Sequence, residues 1–519
     1  MSETNHRTRR LPAATAAALA LLLTACGDGG GDADHSGAAD RSGGDSGRQD
    51  GFPAPAYGAT GQGTDERRDF TQEDDEARPA EDLLSTFALD VDTASYGYAR
   101  RTLADGGTPD PATIRPEEFV NSFRQDYDRP DGDGFSITVD GARTGDDDWS
   151  LVRVGLATRT AGPVGERPPA ALTFVIDISG SMAEPGRLDL ARRALGTMTD
   201  RLRADDSVAL VAFSDEAETV LPMTRLGDRR ARARIHDAID SLEPTDSTDL
   251  GAGVRTGYAT AVEGLREGAT NRVVLISDAL ANTGDTDAHR ILDRVEDARR
   301  TQGITLFGVG VGSDYGDALM ERLADRGDGH TTYVSDDADA DRVFSEELPR
   351  HVDLTARDAK AQVAFDPRTV DTFRLIGYDN RRVADEDFRD DRVDGGEVGP
   401  GHTVTALYAV RTRPGATGHL ATATVRWLDP ATRAPHEASG PLETDALHED
   451  LTAAPARFQV AATAAYFAEA LRGDTAEGRP LPDTPTLDGL AATARALARR
   501  TEDPQVRDLA DTIDLARRT

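Results

Sequence analysis

The 519-residue chain has one cysteine, Cys26, and a single lysine, Lys360, among its 59 basic residues. One cysteine excludes an intramolecular disulfide, so no covalent cross-link braces the fold. The near-total use of arginine over lysine reflects codon bias more than any function. Positive charge is scarce overall, because 93 acidic residues leave a formal net charge of −34 at pH 7. So acidic a body avoids nucleic acid and anionic membrane surfaces, and no nucleic-acid partner is expected. Apolar length is lacking too: the run from Leu11 to Leu23 is too short for a comfortable membrane span. No internal repeat at solenoid periods is visible.

Against this background one stretch is dense in information. Thr173-Phe174-Val175-Ile176-Asp177-Ile178-Ser179-Gly180-Ser181-Met182 is an apolar run that stops at an acid and continues with two hydroxyls at alternating positions. A short apolar run closed by turn residues fits a central parallel strand, and open parallel sheets bind ligands beyond the carboxyl ends of their strands. A hard divalent cation takes about six oxygen ligands, so Asp177, Ser179 and Ser181 are half of a site. Thr248, in the turn-rich loop Thr245-Asp246-Ser247-Thr248-Asp249-Leu250-Gly251, and Asp278, at the end of the strand Val273-Val274-Leu275-Ile276-Ser277, are the candidates for the rest.

These five positions, in this order, resemble the metal-ion-dependent adhesion site of the von Willebrand factor type A domain, over roughly residues 168–350. Many members of that family carry Asp-Gly at the last position, where this chain has Asp278-Ala279. The resemblance implies that Asp177, Ser179, Ser181, Thr248 and Asp278 bind a divalent metal. Oxygen-only ligands favour Mg²⁺, with Mn²⁺ or Ca²⁺ as alternatives, over Zn²⁺. Two carboxylates and three hydroxyls just offset such an ion and leave it electrophilic. In the resembling family the open position takes an acidic residue of a protein partner, so the expected activity is metal-dependent protein binding. The rival reading is an envelope scaffold or assembly factor whose metal is purely structural.

Enzymatic readings lack their defining parts. No Gly-x-Ser-x-Gly elbow surrounds Ser179 or Ser181, and no His-Glu-x-x-His occurs among the ten histidines. His236, His289, His330, His351 and His402 are scattered and read as surface or packed residues. Gly308-Val309-Gly310-Val311-Gly312 fails as a dinucleotide loop, since its third glycine would fall on Ser313 or Tyr315. Asp337-x-Asp339-x-Asp341 opens like a calcium loop, but Arg342 replaces the glycine and Leu348 the bidentate Glu. No enzyme is expected.

The N-terminus adds a location. Arg7, Arg9 and Arg10 precede the apolar run, which ends in Leu23-Thr24-Ala25-Cys26. This resembles a bacterial lipoprotein signal, which implies cleavage before Cys26 and a lipid anchor on that residue at the extracytoplasmic face of the cell membrane. Arg9-Arg10 leaves a twin-arginine export route open. With residues 1–25 read as signal, residues 26–80 are poor in large apolar side chains and cannot offset the entropy of ordering. Such a tether has a root-mean-square span of about 40 Å.

The folded part is read as α/β: a doubly wound, mostly parallel, Rossmann-like sheet at 168–350, with a flanking β-rich companion region and C-terminal helices. Strands are expected at Leu172–Ile176, Val208–Phe213, Val273–Ser277 and Ile304–Val311, alternating with amphipathic helices. Glu218 to Pro222 reads as an edge strand that Pro222 closes. An N-terminal segment spans 81–150, and Asp90 and Asp92 in it are left without a role. Period-two patterns mark a C-terminal β-rich extension at 355–450, and Ala-rich helices fill 453–519. The N-terminal segment, with Arg374 to Arg381 and Gly399 to Tyr408, resembles a bacterial lipoprotein subfamily of the same domain. Strands on both sides of the central domain, such as Trp149–Ala157, make a shared companion domain plausible.

Overall fold

A computed structural model describes residues 83–518, except 90–91, 146–147, 161–166, 228, 246, 279–287, 312–322, 324–328, 335–339, 342, 345–347, 349–351, 392, 394, 431 and 474–480. Cys26 and the residues read as signal and tether therefore lie outside the described residues. So do Asp90, Asp246, Ala279, Ser313, Tyr315, Asp337, Asp339, Arg342, His351 and the side chain of His289.

In chain order the first elements are β1 (Leu84–Ala88), α1 (Ala94–Ala104), α2 (Pro116–Asn121), β2 (Phe135–Arg143) and β3 (Trp149–Thr158). Proline opens α2 because its missing N–H falls among donors that have no helical acceptor anyway. The central domain follows: β4 (Ala170–Asp177), α3 (Leu188–Arg201), β5 (Ser207–Phe213), β6 (Ala217–Arg225), α4 (Arg229–Asp240), α5 (Leu250–Glu263), β7 (Thr270–Ser277), α6 (Ala288–Gln302), β8 (Thr305–Val311) and β9 (His330–Val334). These strands form one sheet in the order β6-β5-β4-β7-β8-β9, parallel except for β6. Every residue of β4 is buried. Leu172, Phe174 and Ile176 enter one apolar core while Val175 enters another on the opposite face. Burial on both faces is why β4 reads as a continuous apolar run instead of an alternating one. The expected α/β class with a mostly parallel sheet, a β-rich region and C-terminal helices is the observed one.

One strand departs from expectation. Pro222 does not close β6, which continues to Arg225. The register slips between Val208↔Thr224 and Leu210↔Leu221, so Pro222 sits at an irregularity of an edge strand, where no ladder N–H is required of it.

After the central domain come β10 (Ala356–Phe365), β11 (Val370–Leu375), β12 (Gly396–Val398), β13 (Thr403–Thr412), β14 (His419–Leu428) and β15 (Pro435–Glu443), then helices at Ala456–Arg472, Leu487–Thr501 and Pro504–Ala516. Two antiparallel sheets result, β1-β10-β14-β15 with β12 on β10, and β11-β13-β3-β2. Side chains from both sheets share one apolar core. The outer face of the second sheet, through Ala142, Leu151, Leu407 and Ala409, is covered by α1, α2 and the C-terminal helices. Strands from either side of the central domain thus pair with one another, β1 with β10 and β3 with β13. The central domain is an insertion in a sandwich.

That sandwich grips the amino ends of the central strands. Arg272 near the start of β7 donates to Glu397 of β12 at 2.7 Å, with both side chains buried. At the start of β9, the Thr331 N–H donates to Asp92 at 2.9 Å. The carboxyl edge of the sheet, where β4 and β7 end, lies at the other extreme of these strands.

Candidate metal centre

Asp177 ends β4 and is fully buried. Its Oδ1 accepts the Ser179 N–H at 2.8 Å, which turns the backbone back on itself, and its Oδ2 accepts the Ser277 hydroxyl at 2.6 Å from the neighbouring strand β7. Ser179 directly precedes a short 3-10 turn over Gly180–Ala183, Ser181 lies within it, and their hydroxyls lie 3.1 Å apart. Burial pushes the Asp177 carboxyl above the usual carboxylate range; the hydrogen bonds from Ser277 and Ser179 oppose this, and the nearby charge of Asp278 adds to it.

Asp278 follows β7 directly and is buried. Its Oδ2 accepts a 2.7 Å hydrogen bond from Arg187 Nη1, while its Oδ1 is buried with no hydrogen-bond partner. An acceptor left bare in this way costs about 1–3 kcal/mol. The loop that bears Thr248 is clamped twice: the Thr245 N–H donates to the Ile178 carbonyl at 2.6 Å, and the Asp249 N–H to the Ser214 carbonyl at 2.5 Å. Thr248 is buried between these clamps. Its neighbour Asp249 is spent on capping α5, where it accepts the Ala252 N–H at 2.8 Å.

The five expected residues are therefore gathered from three segments at one edge of the sheet. The donor set is oxygen only, and the bare buried Oδ1 of Asp278 is the acceptor that a cation would fill. Among the described residues no group of three His, Cys, Asp or Glu side chains forms a metal cluster; this centre would rely on two carboxylates and three hydroxyls. Sequence reasoning missed Ser277, which holds Asp177, and Arg187. A signal for Arg187 existed: a guanidinium at the first turn of α3 opposes the helix dipole, so it needs a nearby acid. Neither Asp92 nor His330 belongs here. They meet 3.4 Å apart in the seam with the sandwich. A cleft of about 870 Å³ opens in that seam, and none of the five residues lines it.

Residues 171–346 match the family model of the von Willebrand factor type A domain. The chain contains such a domain. Residues 63–151 match a model described as von Willebrand factor, and 352–509 one described as the C-terminal part of the uncharacterized protein YfbK. Uncharacterized protein YfbK of Escherichia coli K12 is 35% identical over 339 residues, covering 63% of this chain and 58% of that protein. A UPF0353 protein of Mycolicibacterium paratuberculosis is 32% identical over 176 residues, covering 31% of this chain and 51% of its own. The chain thus spans between about half and three fifths of these relatives' lengths. A solved von Willebrand factor type A structure from Catenulispora acidiphila aligns over 74% of this chain and 91% of its own with 16% identity and a TM-score of 0.48. Type A domains generally mediate protein–protein interaction, often through a metal-ion-dependent adhesion site.

Proposed function

We propose that this protein is a lipid-anchored, extracytoplasmic binding protein whose type A domain captures an acidic residue of a protein partner through a divalent ion held by Asp177, Ser179, Ser181, Thr248 and Asp278, and that it is not an enzyme. The observation that carries the reading is the bare, buried Oδ1 of Asp278 beside the Asp177 carboxylate at the carboxyl edge of the sheet. A bound Mg²⁺, Mn²⁺ or Ca²⁺ would supply a Lewis-acidic centre for the partner's carboxylate. The chain's own part is orientation. Ser277 and the Ser179 N–H fix both oxygens of Asp177, and the Ile178 and Ser214 carbonyls fix the loop of Thr248. The contacts of the sandwich with Arg272 and Thr331 lie at the opposite ends of the strands.

Crosslinking and pull-down from membranes, with and without EDTA, test the proposal. Chelator should abolish capture of the partner and Mg²⁺ should restore it, while Cys26→Ala should release the protein into the soluble fraction. Partner capture that survives EDTA would favour the scaffold reading, with a structural ion and a different contact surface.

A further inference from the structure

Arg187 is a buried cation in direct contact with the candidate ligands. Its side chain is 3% exposed, and it touches Asp278 Oδ2 at 2.7 Å and the Ser181 carbonyl at 3.1 Å through Nη1. A second nitrogen, Nη2, meets Glu184 at 2.9 Å on the solvent side, where Glu184 is 66% exposed. The guanidinium sits at the start of α3, the end of a helix least hospitable to a cation. It is therefore held by the acid and not by the helix.

Charge counting gives this pair a function. Asp177 and Asp278 with Arg187 sum to one negative charge, the solvent-screened carboxylate of the 66% exposed Glu184 being left out of the sum, so a divalent ion leaves the buried centre with one positive charge in excess. Without Arg187 the loaded centre would be neutral. We propose that Arg187 sets the charge of the metal centre: it weakens the hold on the ion and makes the loaded site more receptive to a partner carboxylate. Because the guanidinium occupies only Oδ2, Asp278 keeps Oδ1 for the ion or its bound water. In the metal-free protein the same contact balances the charge of a buried carboxylate. The inference rests on the metal-binding reading proposed above.

Calorimetric Mn²⁺ titration of the full chain separates the two claims. Arg187→Met should bind Mn²⁺ about tenfold more tightly than wild type, since a like charge close to the ion is gone, and should melt at lower temperature in EDTA. Arg187→Gln keeps an N–H for Asp278 and Ser181, and gives the same tightening where the Met variant fails to fold. Arg187→Lys, with its charge retained, should stay near wild type. Binding of N-acetylglutamate to the Mn²⁺-loaded protein, followed by proton relaxation of metal-bound water, should weaken several-fold in the neutral variants. A purely structural Arg187 predicts the opposite sign, a looser ion when Asp278 loses its support. Unchanged or weaker Mn²⁺ binding in Arg187→Met and Arg187→Gln, with Asp177→Asn abolishing it, overturns the role of Arg187 and leaves the metal centre standing. Equal Mn²⁺ binding in wild type and Asp177→Asn overturns the centre itself.

Discussion

At the scale of the residue, Asp177 carries its carboxylate where water does not reach, and the described donors that touch it, Ser277 and the Ser179 N–H, are neutral. Its replacement removes charge at the strand end and relieves repulsion with Asp278, but takes from the Ser277 hydroxyl and the Ser179 N–H the carboxylate to which both donate. We predict that Asp177→Ala abolishes Mg²⁺ binding while the protein stays folded, at a cost to stability within about 1–3 kcal/mol from those donors. Thr248→Ala, which removes no charge, should weaken Mg²⁺ binding without abolishing it. Calorimetric Mg²⁺ titration with circular dichroism as the folding control measures both, and wild-type affinity in Asp177→Ala would remove the site. The five oxygen donors were legible in the sequence because each stands beside a strand end or a turn, where local pattern is strong. Arg187 carried only the weak signal of a cation at a helix start, because its contact with Asp278 spans 91 residues and depends on where the start of α3 meets the end of β7.

Among the elements, α5 shows how closely the site depends on packing. It contains Gly251, Gly253 and Gly257, which weaken a helix intrinsically. The sheet explains two of them. A Cβ at Gly253 would stand 2.6 Å from the Phe213 ring, and one at Gly257 would stand 2.3 Å from a Val175 methyl. The backbone of α5 therefore rests directly on β4 and β5, and its first turn follows Thr248 and Asp249. Gly257→Ala should cost about 1–3 kcal/mol by overpacking and lower Mg²⁺ affinity by lifting the Thr248 loop. Urea unfolding and metal titration of the same variant check this, and loss of stability with unchanged affinity would uncouple helix from site. Strands buried on both faces, such as β4 and β7, could be read from composition alone. The extension of β6 past Pro222 could not, because a proline is tolerated only where the neighbouring register slips, and that slip belongs to β5 as much as to β6.

For the molecule as a whole, the companion domain buries a charged cluster beside its seam with the central domain, where Asp92 also accepts the Thr331 N–H from across the seam. Arg381 lies 3.1 Å from Asp92, 3.6 Å from Glu117 and 4.0 Å from Glu118, all with side chains no more than 3% exposed. Burial pushes Glu117 above the usual carboxylate range, while Arg381 pulls it down. Arg381→Met leaves buried acids without this counter-charge and should cost about 3–5 kcal/mol. A carboxyl whose folded-state value is raised binds its proton more tightly when folded, so it favours the fold at low pH and loses that favour as pH rises through its folded value. The deficit of Arg381→Met should therefore be larger at pH 8 than at pH 5, as measured by denaturant unfolding. A deficit independent of pH would mean that this cluster is held by packing. This network escaped the sequence because Asp92 and Arg381 are 289 positions apart, and nothing local marks acids that share one arginine.

The insertion of the central domain also orders events at the ribosome. Leu84 of β1 pairs with Ala364, and Ser150 of β3 with Val410. At about 10 residues per second, β1 waits roughly half a minute for its partner to be synthesised. The inserted domain, whose parallel sheet is local to its own stretch of chain, can close during that interval. Strands β1 to β3 meanwhile present unsatisfied edges of the kind that recruit foreign strands. Chains cut short before β10 would keep the inserted domain and half a sandwich, with β1 and β3 lacking their partners β10 and β13.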